Sequence, residues 1–164
     1  MNQNLIERLK TFVVRGDYVL SSGERSEFYV DVKKAYGDPE TLGLLTDALG
    51  RTIDQRTTCI AAADYGGIAP AAIIAKEHKL YLALIRKKPK EHGTMKLIDA
   101  HVPTQKDFVY FVDDVFTSGE SVRRMIDAVR LTGAQILGCS VVVKRGETDL
   151  GFPLRYLCTL EELV

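Results

Sequence analysis

Asp113 and Asp114 stand side by side in the stretch 108–121, which reads FVYFVDDVFTSGES. The apolar run 108–112 leading into them has the length and the β-branched and aromatic content of a buried parallel strand. Thr117, Ser118, Gly119, Glu120 and Ser121 follow as a turn whose residue types suit a helix N-cap and a close backbone approach. Val122, Met125, Ile126 and Val129 then recur at helical spacing, which predicts a helix starting near Ser118. The unpaired N–H groups and positive dipole end of that helix would face the turn and hold an anion, most naturally a phosphate. Carboxylates beside a phosphate site can hold neighbouring hydroxyls or a metal ion. The ligand chemistry that joins these features is a sugar phosphate. The acids are expected at a strand end, outside the core.

The elements that must position these residues can be read along the chain. Leu5, Ile6, Leu9, Phe12 and Val13 predict an amphipathic first helix, ended by Gly16 and Asp17. Residues 18–20 and 28–32 predict two short strands around a Ser21-Ser22-Gly23 turn. Asp38-Pro39 predicts a helix start, with an acidic cap and proline at the first helical position. That helix carries Leu42, Leu45, Leu49 and Ile53 inward. Strands are expected at 59–63 and 81–85, with a helix between them opened by Gly66-Gly67 and running to about His78. Residues 86–96 are polar and predict a loop. Gly133 is placed to end the motif helix. Further strands are expected at 136–143 and 154–157. Strands alternating with helices predict an α/β fold, a parallel sheet flanked by helices with right-handed crossovers. Ligands in such sheets bind beyond the carboxyl ends of the strands, where the unusual residues fall.

Composition sets the outer limits. A chain of 164 residues with 46% hydrophobic and 27% charged residues suits one domain with a real core, spanning 1–164. Zero formal net charge argues against a general nucleic-acid binder. Cys59, Cys139 and Cys158 are widely spaced and form no CxxC pair, so they read as reduced thiols of a cytoplasmic protein. The N-terminus has no signal pattern, and no apolar run approaches the ~20 residues that span a membrane.

The acid-pair segment resembles the phosphoribosyl-pyrophosphate (PRPP) motif of type I phosphoribosyltransferases. That motif is four apolar residues, two acids, two apolar residues, then Thr-Thr-Gly-x-Thr/Ser. Here Ser118 takes the second threonine position, and Glu120 replaces a common glycine, so its side chain is expected to point away from the phosphate. Residues 86–93, RKKPKEHG, resemble the mobile catalytic loop of orotate phosphoribosyltransferases, Arg-Lys-x-x-Lys-x-His-Gly. Read alone, the run is a solvated basic loop. Placed one strand and loop away from a phosphate site, its cations can surround a departing pyrophosphate. Residues 20–31, LSSGERSEFYVD, are similar to the hood segment of the orotate family. Lys144-Arg145-Gly146-Glu147 looks like its Asp-Arg-x-Glu, and 159–163 resemble its C-terminal helix turn. Ala63-Asp64-Tyr65-Gly66-Gly67-Ile68 is similar to its Gly-Gly-Ile loop, which lies against the pyrophosphate.

The resemblance implies a type I phosphoribosyltransferase fold with a small N-terminal hood of helix and short strands, built from residues 1–36 and the C-terminal segment. It implies Mg²⁺-dependent transfer of ribose 5-phosphate from PRPP to orotate, giving orotidine 5′-monophosphate and pyrophosphate in pyrimidine biosynthesis. It assigns Asp113 and Asp114 to the ribose hydroxyls, and Lys90 and His92 to the departing pyrophosphate. Thr117, Ser118, Gly119, Glu120 and Ser121 would hold the 5′-phosphate. Tyr65, Gly66, Gly67, Arg86 and Lys87 would bind substrate, and Arg145 the orotate ring. Mg²⁺ would be carried mainly by PRPP, with no protein metal site. A homodimer is implied, with the basic loop acting across the interface. A phosphoribosyltransferase for another base and a non-catalytic PRPP-sensing regulator stay open as alternatives, and the retained loop cations argue against both. A generic dinucleotide-binding or receiver-type α/β domain is disfavoured, because the chain has no GxGxxG and its acids sit late in the sequence.

Overall fold

The structure, a computed structural model, describes residues 3–19, 23, 25–88 and 97–164. Helix α1 (Gln3–Lys10) buries Leu5 and Leu9, one turn apart. It stops earlier than the apolar spacing predicts. Thr11 folds its hydroxyl back onto the Arg8 carbonyl at 2.7 Å, and Val13 already belongs to strand β1 (Val13–Val19). Gly16 and Asp17 therefore lie within a strand rather than at a helix end. Val13 and Val14 are β-branched and find antiparallel partners, Val30 and Tyr29, on β2 (Arg25–Val30), so pairing overrides the helical period. These two strands and α1 form the small N-terminal layer.

Asp31 caps the short helix α2 (Val32–Ala35) by accepting the Lys34 N–H at 3.1 Å. Helix α3 (Pro39–Gly50) begins as expected, with Asp38 accepting the Thr41 N–H at 2.9 Å and proline at the first position. Leu45 and Leu49 are fully buried and Leu42 partly so, while Ile53 lies beyond the helix end. Arg8 of α1 pairs with Glu40 at 2.6 Å, fastening the first helix to the start of α3.

The remaining elements are β3 (Cys59–Ala63), α4 (Asp64–His78), β4 (Tyr81–Ile85), β5 (Ile98–Ala100), β6 (Phe108–Phe116), α5 (Glu120–Arg130), β7 (Gln135–Lys144) and β8 (Leu154–Thr159). They build a six-stranded sheet in the order β5-β4-β3-β6-β7-β8. Every neighbouring pair is parallel except β4 and β5. The expected α/β fold is present, and β5 is the one strand that the sequence pattern does not predict.

The two-residue period of the strands divides the core. Tyr110 and Val112 of β6 face α1, α3 and α4, where Leu5, Leu45 and Ile74 pack. Val109 and Phe111 face the other side, against Val122, Met125 and Val129 of α5. All three cysteines are free thiols inside this core. No helix among the described residues is long and apolar enough to cross a membrane.

Candidate active site

Strand β6 continues past Val112 through the acid pair to Phe116, because β7 offers it a long partner: Asp113 pairs with Val141 and Phe116 with Lys144. This corrects the expectation that both acids sit outside the core at a strand end. Asp113 is 4% exposed; both acids line the cleft, and Asp114 is the more open of the two. Oδ1 of Asp113 accepts the Asp114 N–H at 3.0 Å, and Oδ1 of Asp114 accepts the Val115 N–H at 2.8 Å. Burial, and then the neighbouring Asp114 carboxylate, push Asp113 up to about 7.

The turn after β6 ends at Gly119, whose φ of +75° is a conformation glycine adopts freely. Helix α5 starts at Glu120, two residues later than predicted, and no side chain caps it. Its first N–H groups therefore face the cleft without a protein acceptor from a cap, the arrangement that suits an anion. Arg123 holds the turn from behind, donating to the Ser118 carbonyl at 2.7 Å. Glu120 is exposed at the rim, between the cleft and a neighbouring groove along α5.

Strand β7 delivers Arg145 next to this turn. The Arg145 N–H donates to the Phe116 carbonyl at 2.8 Å, and a β-carbon on Gly146 would lie 2.2 Å from the Thr117 carbonyl oxygen. Glycine at 146 is what lets the two loops touch. The Arg145 guanidinium then reaches the N-terminal layer, donating to Ser26 Oγ at 2.9 Å.

On the other side, β3 turns into α4 through Asp64, which has φ of +57°. Aspartate tolerates that left-handed conformation better than most residues. Arg124 of α5 pairs with the Asp64 carboxylate and ties the two helix starts together. Gly66 and Gly67 lie in the first turn of α4, not ahead of it, and are buried against β6. Their lack of side chains serves close packing on the acid pair. Tyr36 donates to the Gly66 carbonyl at 2.8 Å and holds this turn from below. Tyr65 is 88% exposed on the rim.

These parts enclose a cleft of about 470 Å³ beyond the carboxyl ends of β3 and β6. Of the residues singled out from sequence, it is lined by Tyr65, Gly66, Lys87, Asp113, Asp114, Thr117, Ser118, Gly119, Glu120, Ser121 and Arg145. Gly67 sits beneath it, against the Val112 carbonyl. Arg86 points elsewhere: it pairs with Asp99 of β5 and lines the groove along α5. Lys90 and His92 lie outside the described residues. One residue of the site has no sequence signal: Lys33, whose Nζ is 3.2 Å from Asp114 Oδ2; Ser26, the partner of Arg145, belongs to the hood segment that the sequence singles out, though without an assigned role. Lys33 belongs to an ordinary Lys-Lys pair, and nothing in its local pattern separates it from a surface cation.

A buried acid, a more open acid, an uncapped helix start and an arginine thus gather around one cleft. The family model for the phosphoribosyl transferase domain matches residues 43–150. The orotate phosphoribosyltransferase of Methanopyrus kandleri is 37% identical over 132 residues, covering 80% of this chain and 70% of its own. The chain belongs to the orotate phosphoribosyltransferase family. The Pyrococcus furiosus member is 35% identical over 157 residues, covering 90% of this chain and 86% of its own. The crystal structure of orotate phosphoribosyltransferase from Aeropyrum pernix superposes with a TM-score of 0.83 at 31% identity, over 97% of this chain and 95% of that one. An adenine phosphoribosyltransferase from Rhodothermus marinus, 19% identical with a TM-score of 0.77, shares the fold. The family of orotate enzymes thus extends over the cleft, the hood strands and the C-terminal strand of this chain.

Proposed function

We propose that this protein transfers ribose 5-phosphate from PRPP to orotate, releasing pyrophosphate and forming orotidine 5′-monophosphate. The observation that carries this reading is the acid pair Asp113–Asp114 facing the uncapped start of α5 across one cleft. The N–H groups of residues 119–121 and the hydroxyls of Thr117, Ser118 and Ser121 hold the 5′-phosphate, whose charge the helix dipole favours. Asp114, open to the cleft, accepts from the ribose hydroxyls. Asp113 lies deeper and carries a proton through part of the neutral range, so it can donate as well as accept. As the bond from the ribose anomeric carbon to pyrophosphate lengthens, positive character grows on the ring, and the acid pair stabilises it. Lys87 at the cleft edge, with Lys90 and His92 of the same basic segment, meets the charge growing on the leaving group. Arg145, held at the cleft by Ser26, is placed to face the orotate carboxylate or a ring carbonyl with charge-assisted hydrogen bonds.

Among the described residues no cluster of three or more histidine, cysteine, aspartate or glutamate side chains could form a metal cage. Mg²⁺ would be carried mainly by PRPP, since magnesium prefers substrate phosphates and water to an all-protein cage. It would supply partial neutralisation of the substrate's charge beside Asp113 and Asp114. The protein acts as a homodimer with the basic segment serving the neighbouring subunit, as the family resemblance implies, and works in the cytoplasm, the reading that its three widely spaced thiols support.

The test is to incubate the protein with PRPP, Mg²⁺ and one base at a time, following base absorbance and pyrophosphate release. Orotate is consumed, while adenine, hypoxanthine, guanine and uracil are poor acceptors. Turnover of a purine with orotate inert would overturn the reading.

A further inference from the structure

Lys33 reaches the acid pair from the hood side of the cleft. It lies on α2, which follows β2 directly and is fixed by its Asp31 cap. Its Nζ is 3.2 Å from Asp114 Oδ2, while Oδ1 of the same carboxylate takes the Val115 N–H. Both oxygens of Asp114 are thus oriented, one by backbone and one by an ammonium. The Lys33 side chain is 49% exposed and that of Asp114 14% exposed, so the ammonium covers the acid from the open side. Burial pulls the Lys33 pKa down, but the Asp114 charge and hydrogen bond outweigh it and leave it raised, so the cation persists. An ammonium has three donors, and one of them engages Asp114.

The cleft poses an electrostatic problem that this contact answers. Two adjacent carboxylates must receive a sugar that carries a monophosphate and a diphosphate. Unscreened, like charges within a few ångströms repel strongly, more so where water is partly excluded. We propose that Lys33 is a positioning residue for this polyanionic sugar donor. Its ammonium neutralises Asp114, fixes that carboxylate with its remaining lone pairs toward the ribose hydroxyls, and turns its spare N–H donors to the diphosphate oxygens. This deepens the PRPP reading given above and rests on it.

The test compares the wild-type protein with Lys33→Met, which keeps the stem and loses the charge, and Lys33→Arg, which restores a cation. Calorimetry measures PRPP binding without orotate, and steady-state assays separate KM from kcat. Lys33→Met weakens PRPP binding and raises its KM roughly 10–100-fold, the size expected for one charged hydrogen bond, with kcat changed by only about threefold. Lys33→Arg recovers most of the loss, and the KM for orotate stays at the wild-type level. A residue that merely propped up the hood would lower the melting temperature and would not split KM from kcat. Wild-type binding of PRPP together with unaltered binding by Lys33→Met overturns the Lys33 assignment alone. That assignment also falls if Lys33→Arg, folded like the wild type, is no better than Lys33→Met. A wild-type protein that does not bind PRPP overturns the functional reading and this inference with it.

Discussion

A β-carbon built on Gly66 would lie 2.2 Å from the carboxylate carbon of Asp114. No side chain fits between the first turn of α4 and the open member of the acid pair. The neighbouring Gly67 is just as confined, its β-carbon falling 2.5 Å from the Val112 carbonyl oxygen. The two glycines set how closely α4 approaches β6, and so where Asp114 points.

Gly66→Ala should therefore act on catalysis through position. The added methyl displaces the Asp114 carboxylate, and a displacement near 1 Å in a reacting constellation costs roughly 10²-fold in kcat/KM. Circular dichroism and steady-state kinetics check it together. A variant with a near-normal melting curve and a large kinetic loss is the expected outcome. Unchanged kinetics would mean that Asp114 need not hold this place.

Changing the acids gives a second prediction with a pH signature. Asp113→Asn combined with Asp114→Asn should lower kcat/KM by about 10³-fold or more, since it removes charge stabilisation of the ribose ring. The fold should survive, because at position 113 a neutral amide replaces a carboxyl that burial already holds near neutrality. The sign of the pH effect follows from Asp113, at about 7 when folded and at about 3.9 in the unfolded chain. Between those values the unfolded state has released a proton that the folded state keeps. Rising pH then favours unfolding until Asp113 ionises, so its contribution is full below pH 4 and lost as pH passes 7. The variant lacks this loss. Its Tm should gain on the wild type as the pH rises from 4 to 8, and a constant difference across that range would contradict the burial of a protonated Asp113.

The uncapped start of α5 predicts an anion. Crystals grown with sulfate or phosphate should show the ion at the N–H groups of residues 119–121, flanked by the Thr117 and Ser121 hydroxyls. Glu120 should stay on the rim. A Glu120 carboxylate occupying the anion position instead would remove the basis for a 5′-phosphate site.

Lys90 lies outside the described residues, and its role comes from the resemblance of RKKPKEHG to the family's catalytic loop. Lys90→Ala should lower kcat by roughly 10²–10³-fold, the usual size for removing one preorganised donor. If the segment serves the neighbouring subunit, mixing inactive Lys90→Ala chains with inactive Asp113→Asn/Asp114→Asn chains restores activity, because heterodimers hold one intact site. Absence of recovery after verified subunit exchange would assign the segment to its own subunit.

Much of this molecule is legible in its sequence. Asp38-Pro39 marks a helix start because cap and ring act locally, within one turn. Residues 59–63 and 81–85 read as strands because short apolar runs flanked by polar residues leave little choice. Phe12 and Val13 mislead because they extend the helical period of Leu5 and Leu9, and only the partners on β2 decide against it. Strand β5 is too short to have a period. Asp113 reads as a surface acid because a carboxylate in a strand interior has no sequence signature; its burial depends on β7 lying alongside. Lys33 and Asp114 are far apart in the chain, and their meeting is a product of the α2 position alone. Gly66 reads as part of an anion-facing turn, yet its constraint comes from a strand distant in sequence.

The basic segment has a further property, set by where it begins and ends. The Arg86 N–H donates to the Leu97 carbonyl at 2.8 Å, and the Arg86 guanidinium grips Asp99, so the chain leaves the sheet and returns to it at one point. Lengthening the stretch between these two anchor points is expected to leave the distance from Asp113 to the start of α5 as it is, because the closure entropy of a chain segment rises by only about 0.6 kcal/mol per doubling of its length. The basic segment can therefore vary in sequence while Arg86 and Leu97 keep the sheet, and with it the acid pair and the start of α5, in register.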